Sequence, residues 1–383
     1  MLKIFEERCA TFKQSLAGVA DLAFLPVSAD LQYLTGLERG LPSYGEIVHP
    51  GAWMEGAWIS PSKGPLMTLS RMSVEFGGLD PDLGPELRIL EDSADPTDEL
   101  DRVLDQFDPR KISSIALGDR TRSRAVLALQ ALLPDAILTS ATDLVIRQRM
   151  IKSEHEISLM RRAGAITEAA FSDVIDKLKV RMTELDVLAE IDFQLRRHGA
   201  LAPSFPTALY CSGPDHPLVF GQPQRTMNRI LNPPVSVLFD MGAVYEGYCY
   251  DYGRTVAFGE PHQELIHAYD LVHRSQAAGV RTLRAGSATA ESVDEAAREL
   301  IATAGYGELF RHRLGHGIGL DVHEPPFLAA GDGTRLRKGM LFTVEPSITR
   351  MAGFSARVED VVLAAEGGGV PLTDGFRSLL VIS

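Results

Sequence analysis

The sequence predicts two domains, an α/β domain over residues 1–145 and an α+β domain over residues 146–383. Three observations carry this reading. At 383 residues the chain exceeds the usual size of a single core. Its first third alternates short apolar runs with turn signals and helical patterns, which marks an α/β unit. Beyond residue 146, pairs of long helical patterns are separated and followed by strand-like segments, as expected of helices packed on a largely antiparallel sheet.

In the first domain the strand candidates are residues 21–27, 57–59, 66–69 and 115–117, with helical patterns at 99–107 and 123–133. No histidines, cysteines or carboxylates cluster there at ligand spacing, so the domain is assigned a supporting role, shaping or capping a site made elsewhere. A proline-free helical stretch covers residues 154–179. A second helix begins at Thr183, which forms a capping box with Asp186, sets Leu185, Leu188, Ile191 and Leu195 near one face, and stops at Gly199. Two more helices are predicted over 263–283 and 292–304.

Composition narrows the function. Lys and Arg number 38 against 51 Asp and Glu, a net charge of −13 that disfavours nucleic acid and acidic membrane surfaces. The three cysteines, Cys9, Cys211 and Cys249, are odd in number and widely spaced, which argues for small buried side chains in a reducing compartment rather than a disulfide framework. The opening residues lack a secretory pattern and no apolar run reaches membrane-spanning length, so a cytoplasmic location is expected.

The chemistry gathers near residues 310–326, F-R-H-R-L-G-H-G-I-G-L-D-V-H-E-P-P, which hold His312, His316 and His323. Gly315, Gly317 and Gly319 with Pro325 and Pro326 oppose a helix there. Extended backbone that approaches something closely is the better reading, and grouped imidazoles suit a metal or proton transfer. Two hairpins supply carboxylates. A strand over 235–239 runs into Asp240, and a second over 247–258 carries Asp251. A turn near Tyr245-Glu246 would set the two aspartates directly opposite. Likewise a turn near Ala352-Gly353 would set Glu345 opposite Glu359. Like charges across a ladder are destabilising, and burying them in apolar strands adds several kcal/mol per uncompensated ion. Two divalent cations would resolve both conflicts, with a neutral imidazole as the fifth ligand. Mixed carboxylate and imidazole donors suit manganese, cobalt, iron or zinc.

These residues resemble the metallopeptidase family that contains X-Pro aminopeptidase, prolidase, methionine aminopeptidase and the related creatinase. The likeness covers the whole chain, through L-Q-Y-L-T-G (31–36), R-M-I-K-S-E-H-E-I (149–157), F-D-M-G-A and Y-D-Y-G-R-T, L-G-H-G-I-G-L-D-V-H-E, T-V-E-P and R-V-E-D. The resemblance implies a creatinase-like N-terminal domain and a catalytic domain of the pita-bread fold. It implies two divalent ions, manganese first, held by Asp240, Asp251, His316, Glu345 and Glu359, with Asp251 and Glu359 bridging. It places His323 near the scissile carbonyl, His312 in the pocket wall and Arg357 two residues before the last ligand. A homodimer acting on a small peptide or small amide is also implied.

Two departures bear on the substrate. The family's substrate histidine would fall eight residues after Ser212 or seventeen before Asp240, and those positions hold Phe220 and Pro223. His216 lies close and is the candidate substitute. E-P-S-I-T at 345–349 replaces the family's usual E-P-G-I-Y. The expected function is hydrolysis of an X-Pro amide by metal-activated water, with Glu345 passing the proton and His323 helping to hold the oxyanion. The alternatives are a creatinase-like hydrolase of a small amidine or guanidino compound, and a non-catalytic binding relative.

Overall fold

The computed structural model of the chain describes residues 3–39, 49–77, 86–219 and 226–383. It divides into two compact units, residues 1–149 and 150–383. Among the described residues no helix is long and apolar enough to cross a membrane. All three cysteines are free and buried.

The first unit is a six-stranded mixed sheet in the order Glu86–Leu90, Leu66–Ser70, Gly56–Ile59, Leu22–Pro26, Ser114–Leu117, Ile137–Ser140. The four expected strands are present. The two outermost strands were not anticipated, because E-L-R-I-L and I-L-T-S are short and partly polar, and both pair on one side only. The L-Q-Y-L-T-G segment forms most of the helix Ala29–Thr35, whose Ser28 hydroxyl caps it by accepting from the Leu31 amide. Within this unit, Arg149 donates to buried Asp30 at 2.5 Å.

The second unit is helix-covered antiparallel sheet. The sheet order is Glu324–Leu328, Gly315–Gly317, Leu341–Val344, Phe354–Leu363, Tyr252–Phe258, Val235–Met241, Ala208–Ser212. The helices are Glu154–Ile175, Glu184–Arg197, Gln263–Thr282 and Ala290–Thr303. On the ten-residue strand Phe354–Leu363, Phe354, Ala356, Val358 and Val362 enter one buried cluster with Leu271, Val272, Val293 and Ala297 of the last two helices. Arg357 and Glu359, one residue out of step, therefore point to the opposite face. One strand thus serves the core and the site at once.

The Thr183–Asp186 capping box forms as expected, but the buried face of its helix does not include Leu185, which is 44% exposed. Val187, Ile191 and Leu195 set that face, and one turn earlier it is occupied by Glu184, buried because it has partners described below. The register of the first carboxylate hairpin also differs. Its tip is Glu246-Gly247, both at positive φ, so Tyr245 pairs with Tyr248 and Asp240 faces Gly253 rather than Asp251. Placing the turn one residue early displaces the pairing by two, which preserves the face and moves Asp251 from opposite to diagonal. The second hairpin keeps the expected register on either side of the glutamates, with Val344 opposite Asp360 and Ser347 opposite Arg357.

Candidate active site

Four strands bring the acids together. Asp240 lies near the end of Val235–Met241, Asp251 immediately precedes Tyr252–Phe258, Glu345 follows Leu341–Val344, and Glu359 sits within Phe354–Leu363. His316 is the middle residue of Gly315–Gly317. All five line one cavity of about 630 Å³, together with His312, Arg313, His323, Arg357 and Tyr210. The approach depends on missing side chains. A Cβ on Gly315 would lie 2.0 Å from the Thr343 carbonyl oxygen, and one on Gly253 would lie 2.6 Å from Glu359 Oε2.

Charge in this cavity is poorly balanced by the protein alone. Arg357 donates to Asp240 at 3.0 Å and stands 3.6 Å from both Glu345 and Glu359. Arg357 thus meets three carboxylates, and with Arg313 it makes two guanidiniums against four buried or nearly buried carboxylates in the cavity. Asp251 Oδ1 and Glu359 Oε2 are buried without a hydrogen-bond partner. Burial and the neighbouring Asp240 charge push the Asp251 carboxyl up to about 8, and burial beside Asp251 raises Glu359 well above its usual value. Burial also raises Asp240, against the pull of Arg357. Burial would raise Glu345 as well, but contact with His316 and the charge of Arg357 outweigh it and bring the carboxyl to about 2.

The imidazoles are oriented by their backbone contacts. His316 Nδ1 donates to the Gly317 carbonyl at 3.0 Å, so in the neutral ring Nε2 presents its lone pair to Glu345 Oε1 at 3.4 Å and Asp251 Oδ2 at 3.6 Å. Three lone pairs facing one another require a cation or a proton between them. Ligand atoms bound to one ion at about 2.0–2.2 Å lie roughly 3.0–3.5 Å from each other, close to these separations. His316, Asp251 and Glu359 each offer a ligand atom within 4.8 Å of the other two. The donor set fits divalent metal. Burial alone would lower the His316 pKa, but Glu345 and Asp251 raise it instead.

His312 is held differently. Its Nδ1 donates to the Arg313 carbonyl at 2.7 Å, which leaves Nε2 to accept from the Ser347 hydroxyl at 2.6 Å. Burial and Arg357 lower its pKa, so the ring is neutral. Ser347 is the residue that departs from the family's glycine, and here it fixes a ring in the cavity wall. His323 stands at the exposed rim, its ring centroid 4.2 Å from that of His316. Burial of its ring, with His316 and Arg313 nearby, lowers its pKa. The next residue, Glu324, is anchored by buried Lys152 at 3.0 Å.

His216 does not join this group. It is buried, and its Nε2 lies 2.9 Å from Glu184 Oε1, which also accepts from Arg229 at 2.8 Å. It is absent from the cavity lining, because Glu184, not the acidic centre, holds it. Phe220 and Pro223 lie outside the described residues.

Several contributors escaped sequence reasoning. Tyr210 shares a face with Ala208, which pairs with Asp240, so a period-two reading of Ala208–Ser212 would have found it. Arg254 and Asp360 lie inside the Y-D-Y-G-R-T and R-V-E-D motifs but are not ligand candidates. They form a buried ion pair at 2.5 Å, and Gln276 donates to the same carboxylate. Arg254 also donates to the carbonyls of Gly253 and Glu359. A lone arginine in an apolar strand signals such a partner.

An acidic site with one imidazole among its ligand candidates, on antiparallel sheet backed by paired helices, defines a metal-dependent hydrolase of the pita-bread class. The chain belongs to metallopeptidase family M24, which matches residues 158–366. It is 36% identical over 257 residues to an Xaa-Pro dipeptidase of Lactobacillus delbrueckii subsp. lactis, covering 67% of this chain and 68% of that protein. It is 37% identical over 289 residues to a probable dipeptidase of Mycobacterium tuberculosis, covering 73% and 75%. Among solved structures it is similar to a prolidase from Thermococcus sibiricus, with a TM-score of 0.87, 26% identity and 99% coverage of both chains. It is also similar to an X-Pro aminopeptidase from Thermotoga maritima, with a TM-score of 0.81, 26% identity, and coverage of 98% and 99%.

Proposed function

We propose that this metallopeptidase cleaves the amide bond before proline in short X-Pro peptides. The observation that carries the reading is the convergence of His316 with buried Asp251 and Glu359, each of which keeps a carboxylate oxygen with no hydrogen-bond partner, in a chain whose relatives include an Xaa-Pro dipeptidase. Asp240, Asp251, His316, Glu345 and Glu359 are the residues that would hold two divalent ions. The ions supply Lewis acidity when bound. Glu345 accepts a proton at its carboxylate from the water that attacks the scissile carbonyl and delivers it to the proline nitrogen as the C–N bond breaks, since that nitrogen has no hydrogen of its own and departs only when protonated. His323, neutral at the rim, donates toward the oxygen of the carbonyl under attack. His312 braces the pocket wall, and Arg357 holds Asp240, Glu345 and Glu359 in place.

Oxygen and nitrogen donors without thiolate favour manganese, with cobalt, zinc and iron as alternatives. The free cysteines support a cytoplasmic enzyme, and the family resemblance supports a homodimer.

The test is a panel of X-Pro di- and tripeptides against cyclic amidines and guanidino compounds, on manganese-, cobalt- and zinc-loaded protein. X-Pro turnover is the expected outcome, and turnover of the guanidino compounds alone would overturn the reading. Asp251→Ala and Glu359→Ala are each expected to lower bound metal and bring turnover to background. Full activity in either variant would remove the ligand assignment.

A further inference from the structure

The histidine that stands apart from the catalytic cavity belongs to a second group of ligand-type side chains. Among the described residues two groups of buried His, Cys, Asp or Glu bring their donor atoms close enough to share an ion. One is His316 with Asp251 and Glu359. The other is Glu184, Cys211 and His216, whose donor atoms all lie within 4.8 Å of one another. These three residues are 3%, 1% and 5% exposed, and each comes from a different element. Glu184 opens the helix Glu184–Arg197, Cys211 lies in the strand Ala208–Ser212, and His216 closes the turn that follows it. In that turn Gly213 and His216 exchange both backbone hydrogen bonds, at 3.0 and 3.1 Å, which folds C-S-G-P-D-H back so that the imidazole returns to the thiol.

The hydrogen bonds around this group are those of a braced ligand. Arg229 donates to Glu184 Oε1 through Nε at 3.1 Å and Nη2 at 2.8 Å, and through Nη1 to the Pro217 carbonyl at 2.8 Å. Carboxylates that bind metal are ordinarily held by such an outer partner. His216 Nε2 approaches the same oxygen at 2.9 Å. Two donor atoms bound to one ion at about 2.0–2.2 Å stand roughly 3 Å apart, so a cation replaces the hydrogen between them with little movement. The thiol, a weak donor and acceptor, gains least from hydrogen bonding and most from a cation, which turns it into a thiolate.

Charge and donor type select the ion. A divalent cation cancels the Glu184 carboxylate and the Cys211 thiolate. The charge left over is on Arg229, whose side chain is 25% exposed and keeps contact with water. Thiolate, imidazole and a single carboxylate suit zinc, whereas the oxygen-rich catalytic cavity suits manganese. The two centres lie on opposite faces of one strand, since Tyr210 lines the catalytic cavity and Cys211 is the next residue.

We propose that Glu184, Cys211 and His216 form a second, zinc-binding site that clips the helix Glu184–Arg197 to the strand Ala208–Ser212. Zinc takes the place of the thiol hydrogen and of the hydrogen between His216 and Glu184, and keeps a fourth position for a small ligand such as water. Nothing in this centre depends on the substrate assigned above.

The experiment uses cobalt as a spectroscopic stand-in for zinc, on the full chain carrying Asp251→Ala and Glu359→Ala to disable the catalytic centre. Cobalt bound to thiolate absorbs strongly in the near ultraviolet, and cobalt bound only by oxygen and nitrogen does not. The band is expected to appear, to saturate near one equivalent, and to be bleached by about one equivalent of zinc. Adding Cys211→Ser should abolish it, His216→Ala should weaken zinc binding by about tenfold or more, and Cys9→Ser should change nothing. A band that survives Cys211→Ser, or that depends on another cysteine, assigns the metal elsewhere and overturns the proposal. Absence of the band in protein with all three cysteines overturns it without any cysteine variant, so misfolding of Cys211→Ser does not hide the answer. X-ray absorption reads the same bond in the wild type, filled first with manganese and then given one equivalent of zinc. One sulfur neighbour at about 2.3 Å is expected, and a zinc shell of oxygen and nitrogen alone refutes the site.

Discussion

His312 and Ser347 show how one substituted residue changes the duty of its neighbour. The ring's Nδ1 is committed to a backbone carbonyl, so the Ser347 hydroxyl is the donor that holds Nε2. Removing it with Ser347→Ala is expected to cost about 1 kcal/mol of local order. kcat/KM on an X-Pro peptide should fall several-fold, and the pH profile should change on its acid limb as the freed ring titrates nearer its ordinary value. A profile superimposable on wild type would show that the contact has no catalytic bearing. At this scale the ligand candidates were legible, because acids in apolar strands and histidines among glycines are conspicuous in a one-dimensional string. Tyr210 and Ser347 were not. Each is an ordinary residue type, and its importance depends on which strand or ring lies across from it.

Register, at the scale of elements, was half legible. The second carboxylate hairpin was read correctly because residues 350–354 form a tight turn centred on Ala352, with Arg350 opposite Phe354. The first was misread by one turn position. Y-E-G-Y offers two places for a bend, and only the positive φ at Glu246 and Gly247 decides between them. The glycine approach is the firmer part of the reading. With only 2.0 Å between an added Cβ and the Thr343 oxygen, Gly315→Ala must push the His316 strand away from its neighbour. We expect it to destabilise the protein by about 1–3 kcal/mol and to reduce bound metal. Denaturant unfolding together with metal analysis checks both, and a variant with unchanged midpoint and metal content would contradict the close approach.

For the whole molecule the consequence is a coupling between metal, proton and fold. Asp251 and Glu359 titrate abnormally high in the metal-free fold, whereas in the unfolded chain they ionise near 4. The metal-free native state therefore binds more protons than the unfolded state between roughly pH 4 and 8, and its stability falls as pH rises through that window. The slope from Asp251 ends near pH 8, where it is ionised in both states. Metal-bound protein lacks this slope, because its ligands are already deprotonated. Chelated protein is expected to lose roughly 5 °C or more in Tm between pH 5 and pH 8, and adding manganese at pH 8 should restore it. Equal pH dependence with and without metal would refute the account. The sequence changes pattern near residues 141–153, and the chain divides into its two compact units between residues 149 and 150. The buried network of Arg254, Asp360 and Gln276 was not legible in the sequence, since its partners are far apart in the chain and meet only once the sheet and helices assemble.

The strand Phe354–Leu363 carries two messages interleaved in one decapeptide. Even-numbered residues answer to the helices, and Arg357 and Glu359 answer to the acidic cavity. Substitution at the even positions can track drift in the packing helices while the residues that line the cavity stay constant. A lineage could thus recut its interior without rewriting its chemistry, provided that no single residue is inserted between the two.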